Sequence, residues 1–204
     1  RRLQDPLAEL VKIPPESIGV GQYQYDIDSK KLSLALKGVV EDCVNYVGVN
    51  LNTASSSLLS YVSGISTKIA DSIVSYREEN GAFTSRSQLK KVPNLGPKAF
   101  LNAAGFLRIP ESKEPLDNSA VHPESYAVAK ELLKEIKGSN HDEKVTALKA
   151  LSDDDIRAYS EKLSVGYPTL KDIVKELIQP SRDPREKAVT AKLLDNVTDI
   201  KDIK

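Results

Sequence analysis

The chain has 204 residues, with 29 Lys plus Arg against 29 Asp plus Glu and 40% hydrophobic residues, the balance of a folded rather than a disordered chain. Eight Tyr, three Phe and no Trp leave a β-sandwich or barrel short of core residues, one cysteine, Cys43, excludes a disulfide framework and a cysteine zinc site, and no apolar run nears the roughly 18 residues of a membrane span. The lone cysteine points to a reducing, cytoplasmic setting, and the absence of Met marks Arg1 as something other than a translation start, so the sequence reads as a piece of a longer protein.

Asp5 to Ile13 has the pattern of a short helix that Pro14-Pro15 would stop, and Ile18 to Tyr25, with two Gly, reads as extended or loop. Lys30 to Val47 predicts a helix: Leu32, Leu36, Val39, Val40, Cys43 and Val47 recur at spacings of three and four, and Gly48 fits an end cap. On that face Cys43 is expected to be a buried small hydrophobe. Glu41-Asp42 point about 100° apart on such a helix, which suits a solvated face and not paired catalytic carboxylates.

Four short helical stretches follow, at Leu58–Val62, Lys68–Glu79, Gln88–Val92 and Lys98–Phe106. Ser85-Arg-Ser-Gln88 reads as a capping box. Pro110 to Asn118, polar with two prolines, is a candidate boundary. Beyond it Pro123 suits a first helical position and Gly138 a helix end, with Tyr126, Ala129, Leu132, Leu133 and Ile136 on one face between them. Ser152–Asp155 and Thr169–Asp172 read as two more capping boxes, each opening a helix, and Pro180 follows the second. Residues 181–204 are weakly patterned and read as a linker. Strand signals are scarce, so the expected fold is all-α.

Charge is uneven along the chain. From Ser60 to Ile109 seven cations (Lys68, Arg77, Arg86, Lys90, Lys91, Lys98, Arg108) face three anions, whereas Pro110 to Pro180 has ten cations and fourteen anions. A basic segment in a neutral chain suits contact with a polyanion.

Within that basic segment lies a repeat. Leu59-Ser-Tyr-Val62-Ser-Gly64-Ile65-Ser66-Thr67-Lys68 and Leu89-Lys-Lys-Val92-Pro-Asn94-Leu95-Gly96-Pro-Lys98 align without a gap, thirty residues apart. The shared pattern is that of a helix-hairpin-helix, two short helices crossing closely around a turn of about four residues. The middle apolar residue, Ile65 or Leu95, is expected to lock the turn, and the glycine position needs positive φ. The turn then delivers unpaired N–H groups and the positive end of a helix dipole to one place, which suits a phosphate. Lys68 and Lys98 add charge. The candidate nucleic-acid-binding residues are therefore Gly64, Ile65, Ser66, Thr67, Lys68, Asn94, Leu95, Gly96 and Lys98, holding a DNA or RNA backbone without reading sequence. Two such sites side by side would grip two phosphate runs across a minor groove.

The departures from the pattern are specific. Ser66 replaces one glycine and is placed to cap the next helix, while Asn94 replaces another and tolerates left-handed φ. Pro97 has no N–H, and Phe100 stands where alanine is usual.

The strings Leu51-Asn-Thr-Ala-Ser, Tyr76-Arg-Glu-Glu-Asn-Gly81, Leu95-Gly-Pro-Lys-Ala-Phe100 and Ala104-Gly-Phe-Leu-Arg-Ile109 resemble the tandem helix-hairpin-helix module of the Tex family of transcription accessory proteins. Ser119–Tyr126, Gly166–Leu170 and Arg182–Arg185 resemble the family's following helical domain. The resemblance implies a helical lead-in over 1–50, a tandem hairpin domain over 51–109, a second helical domain over 117–180 and a linker over 181–204. It also implies an RNase H-like domain before this segment and an OB-fold RNA-binding domain after it.

Two other functions compete. As an interaction scaffold, the hairpins would serve packing and the acidic 110–180 region would dock RNA polymerase or other transcription proteins. As an enzyme, the chain would need a catalytic constellation, and none is legible: Asp153-Asp154-Asp155 sits at a helix start where capping explains it, His122 precedes a helix-entry proline, and His141 falls in a polar loop. No cofactor, metal, membrane or small-molecule substrate is expected.

Overall fold

The structure, a computed structural model, describes residues 8–136 and 141–179. Expectations for residues 1–7, for Gly138 and for Pro180 and the 181–204 linker lie outside the described residues.

The lead-in has a 3-10 turn, Ala8–Lys12, then α1 (Pro15–Ile18) and a second 3-10 turn, Gln24–Asp26. Pro15 therefore opens a helical turn instead of ending one, because the missing N–H costs nothing at a first helical position. Helix α2 (Ser29–Val47) matches its prediction. Asp28 caps it by accepting from the Lys31 N–H at 2.9 Å, and Gly48, at φ 83°, ends it with an N–H to the Val44 carbonyl. No residue of α2 is buried. Val44 packs on the core beyond it, while Cys43, 100° round the helix, is exposed, which overturns the expectation that it is buried.

Strands β1 (Val49–Asn50) and β2 (Leu107–Arg108) pair in parallel, Val49 opposite Leu107 and Asn50 opposite Arg108. Two residues are too few to show alternation, so this pair escapes a periodicity search. The fold is otherwise α-helical. Between the strands run α3 (Ser56–Leu59), α4 (Thr67–Asn80), a 3-10 turn Arg86–Lys91 and α5 (Pro97–Ala103). The Ser85 side chain does not cap that 3-10 turn, contrary to the capping-box expectation. It meets Ser87 Oγ at 2.8 Å, and Gln88 accepts from the Thr84 N–H instead. One core joins these elements, with Leu51, Leu59, Ile73, Leu89, Leu107 and Ile109 each at most 1% exposed.

The two hairpins pack reciprocally. A Cβ on Gly64 would lie 2.7 Å from the Asn102 Cβ and 3.2 Å from the Ala99 carbonyl, so the first turn rests directly on α5. The second turn reaches α4, where the Asn94 Nδ2 donates to Ser72 Oγ at 3.0 Å. Asn94 corresponds to Gly64 and Asn102 to Ser72, each thirty residues on. Residue i touching j+30 while i+30 touches j is the signature of a two-fold axis, here an internal one. Both turn residues are left-handed, Gly64 at φ 82° and Asn94 at φ 65°.

A second core follows. Its elements are a 3-10 turn Pro115–Asn118, another at Pro123–Ser125, then α6 (Tyr126–Glu135), α7 (His141–Lys149), α8 (Asp153–Lys162) and α9 (Tyr167–Ile178). Ala129, Leu132, Ile136, Leu148, Leu170 and Ile173 are buried in it. His141 opens α7, where a polar loop was expected. Ser152 and Asp155 form the expected reciprocal capping box. Thr169 does not cap: Gly166 is the N-cap of α9, and Thr169 lies inside the first turn.

Arg86 joins the two cores. It is 1% exposed, and its guanidinium donates to the carbonyls of Leu107 (2.7 Å), Val121 (2.8 Å) and Ser119 and to the Tyr126 hydroxyl (2.7 Å). Its backbone N–H donates to Asp117 Oδ2 at 3.1 Å, while Tyr126 donates to Asp117 Oδ1 at 2.7 Å. Burial holds the guanidinium pKa below its ordinary value, and Tyr126 and Asp117 offset only part of that. Burial also pushes the Tyr126 hydroxyl well above its ordinary value, so it stays a neutral donor.

No helix among the described residues is long and apolar enough to cross a membrane.

Arg86→Met leaves buried acceptors without a donor, at a cost on the order of 4 kcal/mol; thermal unfolding should show a melting temperature lower by about 8 °C or more. Arg86→Lys should not restore it, since a point ammonium lacks the planar fork. Gly64→Ala meets both a positive φ and the Asn102 contact and should cost about 2 kcal/mol in urea unfolding, whereas Asn94→Gly should stay within about 1 kcal/mol of the parent.

Candidate nucleic-acid interface

Gly64, Ser66, Thr67 and Lys68 are exposed at the first turn, and Asn94, Gly96 and Lys98 at the second. Ile65 and Leu95 are inside, 5% and 7% exposed. Their N–H groups close the turns on the Val62 and Val92 carbonyls at 3.0 and 3.3 Å, so neither residue has a donor open to a ligand. They act by locking the hairpins.

The open donors lie at the starts of α4 and α5. In α4 the Ser66 hydroxyl accepts from the Ile69 N–H at 3.4 Å, as expected of a cap. The N–H groups of Thr67 and Lys68 have no hydrogen-bond partner among the described residues. In α5 the N-cap is Gly96, which has no side chain to accept, and Pro97 has no N–H, so the open donors are Lys98 and Ala99. Lys68 and Lys98 are exposed and form no ion pair among the described residues. Phe100, at the position of Ala70, is buried, and the Lys90 ammonium lies 5.0 Å over its ring.

Asn45 braces the first turn from outside the repeat. It donates to the Tyr61 carbonyl at 3.3 Å and accepts from the Ser63 N–H at 3.0 Å. An asparagine beside the apolar face of a predicted helix was its only trace in the sequence.

The basic segment divides by residue type. Arg77, Arg86 and Arg108 are buried, and Arg77 donates to the Leu51 and Ala54 carbonyls at 2.8 and 3.1 Å. Arg108 fills the space beside Gly48, where a Cβ would lie 2.5 Å from its Nε. The cations able to touch a ligand are Lys68, Lys90, Lys91 and Lys98, all exposed, beside exposed Asp71, Glu78 and Glu79. The sequence count thus overstates the cations available for contact. Between α4 and the second turn is a cleft of about 280 Å³ lined by Lys68, Asp71, Glu79 and Asn94 among others. Its two carboxylates disfavour an anion there.

A third hairpin, missed in the sequence, joins α8 to α9. Ser164 is left-handed at φ 53°, Val165 follows, and Gly166 is the N-cap of α9. This repeats the order Asn94-Leu95-Gly96, and Leu170 and Ile173 are buried like Ala70 and Ile73. At the place of Lys68 and Lys98, however, stands Pro168. The nearby Lys171 is held by Asp153 at 2.8 Å and by Tyr167, which raise its pKa to about 12. This hairpin lacks both the charge and the donor of the first two and serves packing.

The remaining candidates for chemistry are occupied structurally. The Asp155 carboxylate accepts from the Ser152 N–H and hydroxyl, bonds that lower its pKa. His122 Nε2 donates to the Leu101 carbonyl at 2.8 Å, leaving Nδ1 to accept from the Glu124 N–H as an N-cap.

The comparisons with known proteins agree with this geometry. A helix-hairpin-helix motif family matches residues 44–108, and a helix-hairpin-helix domain family matches residues 114–185, the region of the third hairpin. Protein tex of Bordetella pertussis and the transcriptional accessory protein Tex of Neisseria gonorrhoeae are each 51% identical to all of this chain, which covers 25% and 27% of their lengths. Human S1 RNA-binding domain-containing protein 1 is 34% identical over 88% of the chain, or 23% of its own length. The chain thus carries helix-hairpin-helix motifs and is similar over its whole length to about one quarter of these longer Tex relatives.

Proposed function

We propose that the chain is a nucleic-acid-binding module of a transcription accessory protein, holding DNA or RNA by its backbone phosphates without sequence specificity. The observation that carries this reading is the pair of hairpins related by an internal two-fold axis, each with open N–H groups and an exposed lysine at a helix start. Backbone donors and the helix dipole recognise the charge and shape of a phosphate and are indifferent to the base attached to it. The two-fold relation suits a ligand whose two phosphate runs are themselves antiparallel, as they are on either side of a minor groove. One relative bears the name transcriptional accessory protein, which supports reading such a grip as part of transcription.

Fluorescence anisotropy on labelled duplex DNA across a salt series tests the reading. Binding should weaken linearly in log–log form, and Lys68→Glu/Lys98→Glu should flatten the slope by about two units, at roughly 0.9 per lost phosphate contact. Lys134→Glu/Lys149→Glu, two exposed lysines of the second core, should leave slope and affinity unchanged. A salt-independent signal, or equal losses in both double variants, would remove the hairpins as the site.

A further inference from the structure

The apolar surface of this molecule is concentrated at one end. Of the large hydrophobic side chains exposed among the described residues, all but Leu101 lie between Leu10 and Tyr46. Tyr25 is 94% exposed, and Leu34 is 73%. At the 150–250 Å² of a large aromatic side chain, and less for the aliphatic ones, the whole exposes on the order of 800 Å².

Helix α2 gives this surface a pattern. Leu32, Leu36, Val39, Cys43 and Tyr46 follow one another at intervals of four, three, four and three. That alternation averages 3.5 residues and is the seam spacing by which one helix packs lengthwise on another. Leu32 and Leu36 are half-buried, Cys43 is exposed, and Val39 and Tyr46 are 57% and 60% exposed. The side of α2 that meets the hairpin core is a different one, at Val44 and Asn45. A 19-residue helix with no buried residue and two apolar sides is only half packed.

We propose that this seam is the docking surface for an amphipathic helix from the same longer polypeptide, outside these 204 residues. Every bacterial relative named above matches the whole chain with about a quarter of its length, so three quarters of such a polypeptide is at hand. The exposed apolar residues of this surface all fall between Leu10 and Tyr46. A tethered helix docks at a high effective concentration, so a seam of two heptads suffices.

Cys43, the only cysteine of the chain, sits in the seam and reports on it. Maleimide labelling, read by mass spectrometry of the peptide that contains it, is compared in the 204-residue chain and in the polypeptide extended to the length of its relatives. Labelling should be at least tenfold slower in the longer form. In a Cys43→Ser background, Val39→Cys should be protected there in the same way, while Leu34→Cys, more than 100° away around the helix, stays reactive. Val39→Asp should restore Cys43 labelling in the longer form and leave the melting temperature of the 204-residue chain unchanged. Equal labelling in both lengths overturns the proposal, as does protection without the seam's periodicity. So does a 204-residue chain that sediments as a dimer with Cys43 already protected, since the seam then belongs to a second copy.

Discussion

A guanidinium with almost no contact with water holds the two halves of this molecule together. The segment from Leu107 to Val121 contains one two-residue strand and one 3-10 turn, yet much of it is buried. Irregular backbone inside a protein must find hydrogen-bond partners for its carbonyls, and little secondary structure is present to supply them. Arg86 supplies them from one side chain, reaching the carbonyls of residues 107, 119 and 121. Asp117 closes the arrangement by accepting from the Arg86 N–H, from Ser112 and from Tyr126. The connector is thereby part of both cores. Within the polar stretch 110–118, Glu111, Lys113 and Asn118 are exposed, while Asp117 is buried and turned toward Arg86.

This use of arginine changes the meaning of the basic segment. A planar fork with five donors suits buried carbonyls, whereas a strongly hydrated ammonium suits solvent. The sequence obeys that division, with three arginines inside and four lysines outside. The buried arginines add to the long-range field but are barred from contact with a ligand. What distinguishes Lys68 and Lys98 is therefore their position at the helix starts, and not an excess of charge around them.

The hairpins were legible because their constraints are local and repeated. A left-handed residue, an apolar lock and a helix start must follow one another within a few positions, and two copies thirty residues apart exclude coincidence. The third copy escaped because Ser164 takes the left-handed position and Lys162 stands where Val62 and Val92 stand, so only Val165 and Gly166 keep the pattern. The long helix was legible from periodicity. Its exposure was not, since an apolar stripe looks the same whether its partner is present or lies elsewhere in a longer chain. Thr169 misled because a capping-box spacing carries no information about which residue the chain bends at, and Gly166-Tyr-Pro168 had already begun the helix.

The hairpin pair is symmetric in packing and asymmetric in what it offers. Each hairpin has lost one donor from the first turn of its second helix, and for different reasons. In the first, Ser66 engages the N–H of Ile69, the third helical residue. In the second, Pro97 removes the N–H of the first. The open donors are therefore Thr67 and Lys68 in one hairpin, and Lys98 and Ala99 in the other. Residue for residue, the open donors are displaced by one position, about 100° around the helix axis. A ligand held by both must present its two phosphates in correspondingly different orientations. The reciprocal contacts of the two turns keep the pair symmetric in packing, and Ser66 and Pro97 set which N–H groups each helix start leaves open.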